Sequence, residues 1–153
     1  ASPRRAVVDA AIDRGRVTFR RADACALPAD LAGFDAVLLA NLLCRLPSPR
    51  ACLSRLGGAR GLVRPGGVAV IVSPYSWSEE FSPRDAWLGG PEVGGRPLRG
   101  RDGILAELRD EFELLRELDV PLLIREHARK YQLIVSHAMI LQRRAPAGAE
   151  AGR

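Results

Sequence analysis

The sequence has little of what marks a disulfide-stapled, metal-bound or membrane-embedded protein. Its three cysteines, Cys25, Cys44 and Cys52, make no CxxC pair and leave one over. Neither a disulfide framework nor a zinc knuckle is expected, and the thiols are read as reduced. No apolar run approaches the roughly 20 residues that span a bilayer, and Ala1-Ser2-Pro3-Arg4-Arg5 lacks the apolar stretch of a signal peptide. A cytoplasmic protein without a membrane partner is the expectation. Lysine is nearly missing: Lys130 stands alone, and the net charge of +5 is carried by arginine. GC-rich coding produces that skew as readily as a polyanionic ligand does. With no basic block interleaved with aromatics and no reading helix, nucleic acid is excluded as the expected partner. The two histidines, His127 and His137, have no carboxylate at ligand spacing, so no metal site is expected.

What is present is an uninterrupted strand, loop, helix, turn and strand from Phe34 to Tyr75. Asp35 to Ala40 is a short apolar run bounded by Gly33 and Asn41, the pattern of a parallel strand buried on both faces. Asn41-Leu42-Leu43-Cys44-Arg45-Leu46 follows at its carboxyl end, the edge where open α/β sheets bind ligands. Ser48 is placed to cap and Pro49 to open a helix reaching about Leu62. Val63-Arg64-Pro65-Gly66-Gly67 reads as a stop and tight turn, and Val68 to Val72 as a second buried strand. It ends in Ser73-Pro74-Tyr75-Ser76-Trp77, again at a carboxyl edge.

The flanks are less regular. Arg4 to Arg14 has the pattern of a helix end closed by Gly15, and Arg16 to Arg20 alternates as a strand. The stretch 74–103 is rich in Gly, Pro and Arg yet keeps Trp77, Phe81 and Trp87, which suits a lid or substrate wall better than a linker. Asp102 is placed to cap a helix through Asp110; Phe112 to Leu118 and Tyr131 to Gln142 read as strands, with 120–130 as a mixed insertion between them. Residues 145–153 read as a disordered tail, which leaves 1–144 as one domain.

This order of elements resembles the carboxyl-terminal two-thirds of a class I S-adenosylmethionine-dependent methyltransferase. Within that superfamily Asn41-Leu42-Leu43-Cys44-Arg45-Leu46-Pro47, Ser73-Pro74-Tyr75-Ser76-Trp77, Trp87-Leu88-Gly89-Gly90 and Ile124 to Gln132 are similar to the 4-mercaptohistidine N1-methyltransferase family, the methyltransferase domain of ovothiol biosynthesis. The resemblance implies an α/β, Rossmann-like sheet of strand order 3-2-1-4-5-7-6. It is expected to be incomplete: the family's first two strands, its glycine-rich loop and the acidic residue after its second strand have no counterpart here. The implied cofactor is S-adenosylmethionine and the implied substrate the small molecule 4-mercaptohistidine, methylated at an imidazole nitrogen. A missing amino-terminal segment or a sulfoxide synthase domain is the implied protein partner. The alternatives are a non-catalytic remnant serving as an interaction module, and a methyltransferase for another histidine-like molecule or peptide.

The same resemblance distributes roles. Asp23 takes the adenine amino group, with Ala24 and Cys25 as the edge of the slot, or Asp23 merely closes an Asx turn. Asn41 presents its amide or carbonyl to the imidazole with Leu42 as slot wall, or is a strand-end turn residue. Arg45 forks onto the substrate carboxylate, or lies on the surface. Tyr75 and Trp77 wall a cationic sulfonium, or pack as loop core. His127, flanked by Arg125 and Tyr131, takes a proton from the ring, since imidazole exchanges one near neutrality, or is structural. His137, in the apolar run Leu133 to Met139, reads as core.

Overall fold

A computed structural model describes residue 5 and residues 7–90, 92–93 and 95–145. The expected tail lies outside the described residues except for Ala145. The main sheet has four strands: β1 (Phe34–Ala40), β2 (Val63–Ser73), β5 (Phe112–His127) and β6 (Lys130–Arg143). A two-stranded ribbon, β3 (Glu92–Val93) and β4 (Arg96–Pro97), lies between the second and third of these in the chain. The main sheet runs β1-β2-β6-β5, with β1 parallel to β2 and β6 antiparallel to both neighbours. That is the 4-5-7-6 end of the sheet the sequence implied, and the fold is α/β and Rossmann-like.

Helix α1 (Pro49–Ser54) starts as read, with the Ser48 hydroxyl accepting from the Ala51 amide at 3.4 Å and proline in the first turn. It is shorter than the expected span to Leu62. The Gly57-Gly58 pair ends it, with Gly58 at φ +77°, and Arg55 folds back to hold the Leu31 carbonyl at 2.9 Å. The Pro65-Gly66-Gly67 turn does not separate two elements but loops out of β2, because the ladder jumps from Phe34↔Val63 to Ala36↔Val68. Helix α2 (Gly100–Leu108) carries Asp102 inside its first turn, where the helix dipole favours a carboxylate, rather than at the cap.

Two expectations near the amino terminus fail. Residues 7–13 form no helix, since the run is exposed throughout and a short helix without a buried face does not hold in water. Residues 17–20 are not a strand: no neighbour offers them a ladder, and Phe19 is 93% exposed.

The core lies on one face of the sheet. Leu39, Ala69, Ile71, Met139, Leu141 and Phe112 point that way by register and are buried beneath Leu53 and Leu56 of the α1 region, Leu88, and Ile104 and Leu108 of α2. The opposite face is not covered by the described helices. Leu38 there is 64% exposed and Val68, Val70 and Val72 are half-buried, so the expectation that β1 is buried on both faces does not hold. Strand β5 runs through the stretch expected as an insertion and turns into β6 as a long hairpin. Pro121 is tolerated inside it because β5 is the edge strand, whose outer amides need no ladder partner. Among the described residues no helix is long and apolar enough to cross a membrane.

Helix α2 is seated against the Leu88 backbone through a glycine. A Cβ built on Gly103 would lie 1.7 Å from the Leu88 carbonyl oxygen, so backbone meets backbone there. Gly103→Ala is expected to destabilise the fold by about 1–3 kcal/mol, read as a lower urea midpoint. An unchanged midpoint would mean that this seat contributes nothing.

Candidate functional site

Strand β2 ends at Ser73, paired with His137, and the site is built over that end. On one side β1 finishes and Asn41 continues the ladder by donating its amide to the Val72 carbonyl at 2.8 Å. On the other side β6 has reached Ser136 and His137. Asn41 adopts φ 51° and Tyr75 φ 54°, the two non-glycine residues in the left-handed region among those described. Such conformations cost of order 1–3 kcal/mol each and persist where the surroundings fix them. Here they turn both chains out of the sheet at adjacent carboxyl ends, the edge where open α/β sheets place a ligand crevice.

The surroundings can be named. The Ser136 hydroxyl donates to Asn41 Oδ1 at 2.9 Å, bridging β1 and β6 across the gap β2 leaves. With its oxygen engaged, Asn41 has its NH2 to offer as a donor. The Ser73 hydroxyl accepts from the Tyr75 amide at 3.1 Å. The Tyr75 ring lies against the start of α2, where a Cβ on Gly100 would come within 2.3 Å of it. Tyr75 Oη meets His137 Nδ1 at 2.7 Å, and His137 Nε2 stands 3.3 Å from Glu117 Oε1. Glu117 is gripped by a two-pronged Arg101, at 2.6 and 2.9 Å, and Arg101 also reaches Asp102 at 2.9 Å. The line Tyr75, His137, Glu117, Arg101 thus joins the end of β2, both strands of the hairpin and α2.

Burial pushes the Tyr75 phenol up to about 12, and Glu117 nearby adds to the shift. The hydrogen bonds from Arg101 hold the Glu117 carboxyl below its ordinary range and raise Arg101 itself. The tyrosine therefore keeps its proton at neutral pH while the carboxylate stays ionised.

The remaining residues singled out in the sequence fall into two groups. Asp23 accepts from the Cys25 amide at 2.8 Å, an Asx turn, and Cys25 Sγ reaches the Ser48 carbonyl at 3.4 Å. Ala24, Cys25 and Leu42 pack as half-buried residues against the core, so this turn lies beside the loop that leaves β1. Arg45 donates to the Ser76 carbonyl at 2.6 Å and lies over the Phe81 ring at 4.9 Å, tying the loops after β1 and β2 together. Trp77 stacks on Trp87 with centroids 6.5 Å apart, and its buried indole N–H has no hydrogen-bond partner. Arg125, His127 and Tyr131, by contrast, stand exposed at the far end of the hairpin. There the Arg125 guanidinium lies over Tyr131 at 5.9 Å and His127 Nδ1 accepts from the Arg129 amide at 3.3 Å. Tyr131 is six residues from His137 along β6, about 20 Å of strand, so the structure does not bring these three to the crevice.

His137 is not core, as the apolar run suggested, but half-buried in a polar line; Glu117, Arg101 and Ser136 went unnoticed. The available signal was the polar pair Ser136-His137 interrupting an apolar strand. Among the described residues no group of three His, Cys, Asp or Glu is placed to hold a metal.

No family model matches the chain, and no curated protein does. Solved structures are similar, these two among them. One was solved for the conversion of a disulfide bond into a thioacetal group during echinomycin biosynthesis: 17% identity, TM-score 0.54, covering 83% of this chain and 56% of that one. The other is a SAM-dependent methyltransferase from Methanosarcina mazei: 17% identity, TM-score 0.49, covering 80% of this chain and 65% of that one. The first likeness shows the fold, and the chain spans little more than half the length of that protein.

Because the folded state holds the Tyr75 proton more tightly than the unfolded chain, the resulting stability is whole below pH 10 and lost between pH 10 and about 12. Urea unfolding across that window is expected to show a steeper decline for the native sequence than for Tyr75→Phe. Parallel declines would mean that the phenol is not shielded.

Proposed function

We propose that this chain is the acceptor-side part of a cytoplasmic S-adenosylmethionine-dependent N-methyltransferase acting on the imidazole of a small histidine derivative, 4-mercaptohistidine. The observation that carries the reading is the pair of left-handed strand ends, Asn41 and Tyr75, turned out over the crevice between two adjacent parallel strands. The sequence resemblance supplies the substrate, and the sheet order supports the class.

The residues present suit the adenosyl side of the cofactor. Asp23 Oδ1 is engaged with the Cys25 amide, but its second oxygen has no protein partner among the described residues. It is an acceptor for an exocyclic amino group beside the apolar ledge of Ala24, Cys25 and Leu42. Bound there, the cofactor supplies an electrophilic methyl group on a sulfonium. The chain's own work is alignment and exclusion of water, which account for most of what such a displacement needs. The Asn41 amide donates to a thiolate or to a ring lone pair. Tyr75 accepts from a ring N–H. The two acceptor-side groups are fixed before substrate arrives, because each is held by β6. Arg45 and Trp77 bound the wider substrate side.

A second reading, a non-catalytic interaction module, is favoured by the uncovered sheet face around Leu38. Calorimetry with S-adenosylmethionine, on this chain and on one extended upstream, separates the two: binding heat is expected, and none from either chain would abandon the enzyme. With labelled methyl donor, label is expected on a ring nitrogen of mercaptohistidine in preference to histidine or a histidine peptide. Asn41→Ala is expected to lower kcat/KM roughly 10- to 100-fold by misaligning the ring. Equal use of the three acceptors would remove the thiol from the substrate assignment.

A further inference from the structure

We infer that Tyr75, His137 and Glu117 form a proton relay that uncovers the attacking nitrogen, with Tyr75 touching substrate and His137 and Glu117 acting through it. The inference rests on the N-methyltransferase reading for the identity of the acceptor, but the relay is a property of this chain's own side chains.

The chemistry calls for it. A ring nitrogen that carries hydrogen has no lone pair to give, and a thiol acidic enough to be a thiolate leaves both nitrogens of its imidazolium protonated. In the step, the N–H bond breaks and its electron pair becomes the new nitrogen–carbon bond. The pair of the broken carbon–sulfur bond stays on sulfur. The proton passes to Tyr75 Oη as the phenol's own proton moves to His137 Nδ1, and the positive charge that began on sulfur ends on the imidazolium of His137.

Each link has its geometry. Tyr75 Oη and His137 Nδ1 are 2.7 Å apart, a distance for direct transfer. Glu117 Oε1, 3.3 Å from Nε2, favours hydrogen on that nitrogen, which leaves Nδ1 as the acceptor. Arg101 holds the carboxylate in place from α2. The charged and titratable groups around the imidazole are Tyr75 after β2, Glu117 and the register partner Asp119 on β5, and Arg101 with Asp102 on α2. With the phenol pushed up to about 12, Tyr75 cannot hold a negative charge at neutral pH and must hand its proton on as it takes another. The arrangement follows the logic of a nucleophile, a histidine and an orienting carboxylate, turned to proton removal.

The test has two arms on the full chain. In the first, nitrogen-15 NMR of the ligand-free protein reads the tautomer of His137 when neutral. Hydrogen on Nε2 is expected, with the Nδ1 resonance moving in Tyr75→Phe; hydrogen on Nδ1 overturns the relay whatever the enzyme does. In the second, methyl transfer by His137→Gln is expected to fall about 100-fold or more in kcat with KM little changed. Added imidazole is expected to restore part of the rate to His137→Gly. Glu117→Gln is expected to lower kcat about 10-fold and to raise the Nδ1-protonated population. Methyl transfer at the native rate in His137→Gln overturns the relay and leaves the enzyme reading standing. Absence of methyl transfer from every variant refutes that reading and leaves the NMR arm to decide the relay.

Discussion

Everything at the crevice depends on β2 stopping at Ser73 while β6 runs on past His137 in its hairpin with β5. An open ladder at that point would leave the Val72 carbonyl and the facing edge of β6 without partners. Asn41 closes one side from β1 and Ser136 bridges to it from β6. A strand end that would otherwise leave buried polar groups unpaired, at 1–3 kcal/mol each, is satisfied by side chains that also face the ligand edge. The left-handed strain at Asn41 is offset by those same bonds, and that at Tyr75 by its bonds to Ser73 and His137.

Below this rim the molecule is conventionally apolar. Leu43, Leu53, Leu56, Ile71, Leu88, Ile104, Met139 and Leu141 are almost wholly inaccessible and form one cluster between a single face of the sheet and the short helices. The helices are brought close by glycine. Gly100 admits the Tyr75 ring and Gly103 admits the Leu88 backbone, so the position of α2, and of the Arg101 that it carries, is set by absent side chains. Arg101 reaches Glu117 from a helix seated by these two contacts.

Much of the fold was legible. The alternation of apolar runs with Gly, Pro and Asn punctuation placed β1, the cap of α1, the buried half of β2 and β6, because local chemistry and tertiary environment agree there. The places of Asn41 and Tyr75, one and two residues beyond the ends of two parallel strands, were legible for the same reason. The hairpin was misread because Pro121 and a run of charges look like the end of a strand, and only the edge position of β5 makes them compatible with one. The amino-terminal helix and strand were misread because periodicity was taken without a surface to pack on.

Glu117 shows where reading along the chain stops. In regular alternation from Phe112 and Leu114 it would face away from the helices and His137. The ladder instead shifts between Leu114 and Arg116, leaving Leu115 unpaired and turning Glu117 onto the face of Met139 and His137. The sequence by itself determined β1, the start of α1, the buried half of β2, β6 and the order that points to the fold, because those follow from residue type and spacing. Only the tertiary structure decided which histidine meets Tyr75, which carboxylate faces it and which sheet face is buried. A one-residue bulge and a glycine contact reverse those choices without leaving any mark in the local pattern.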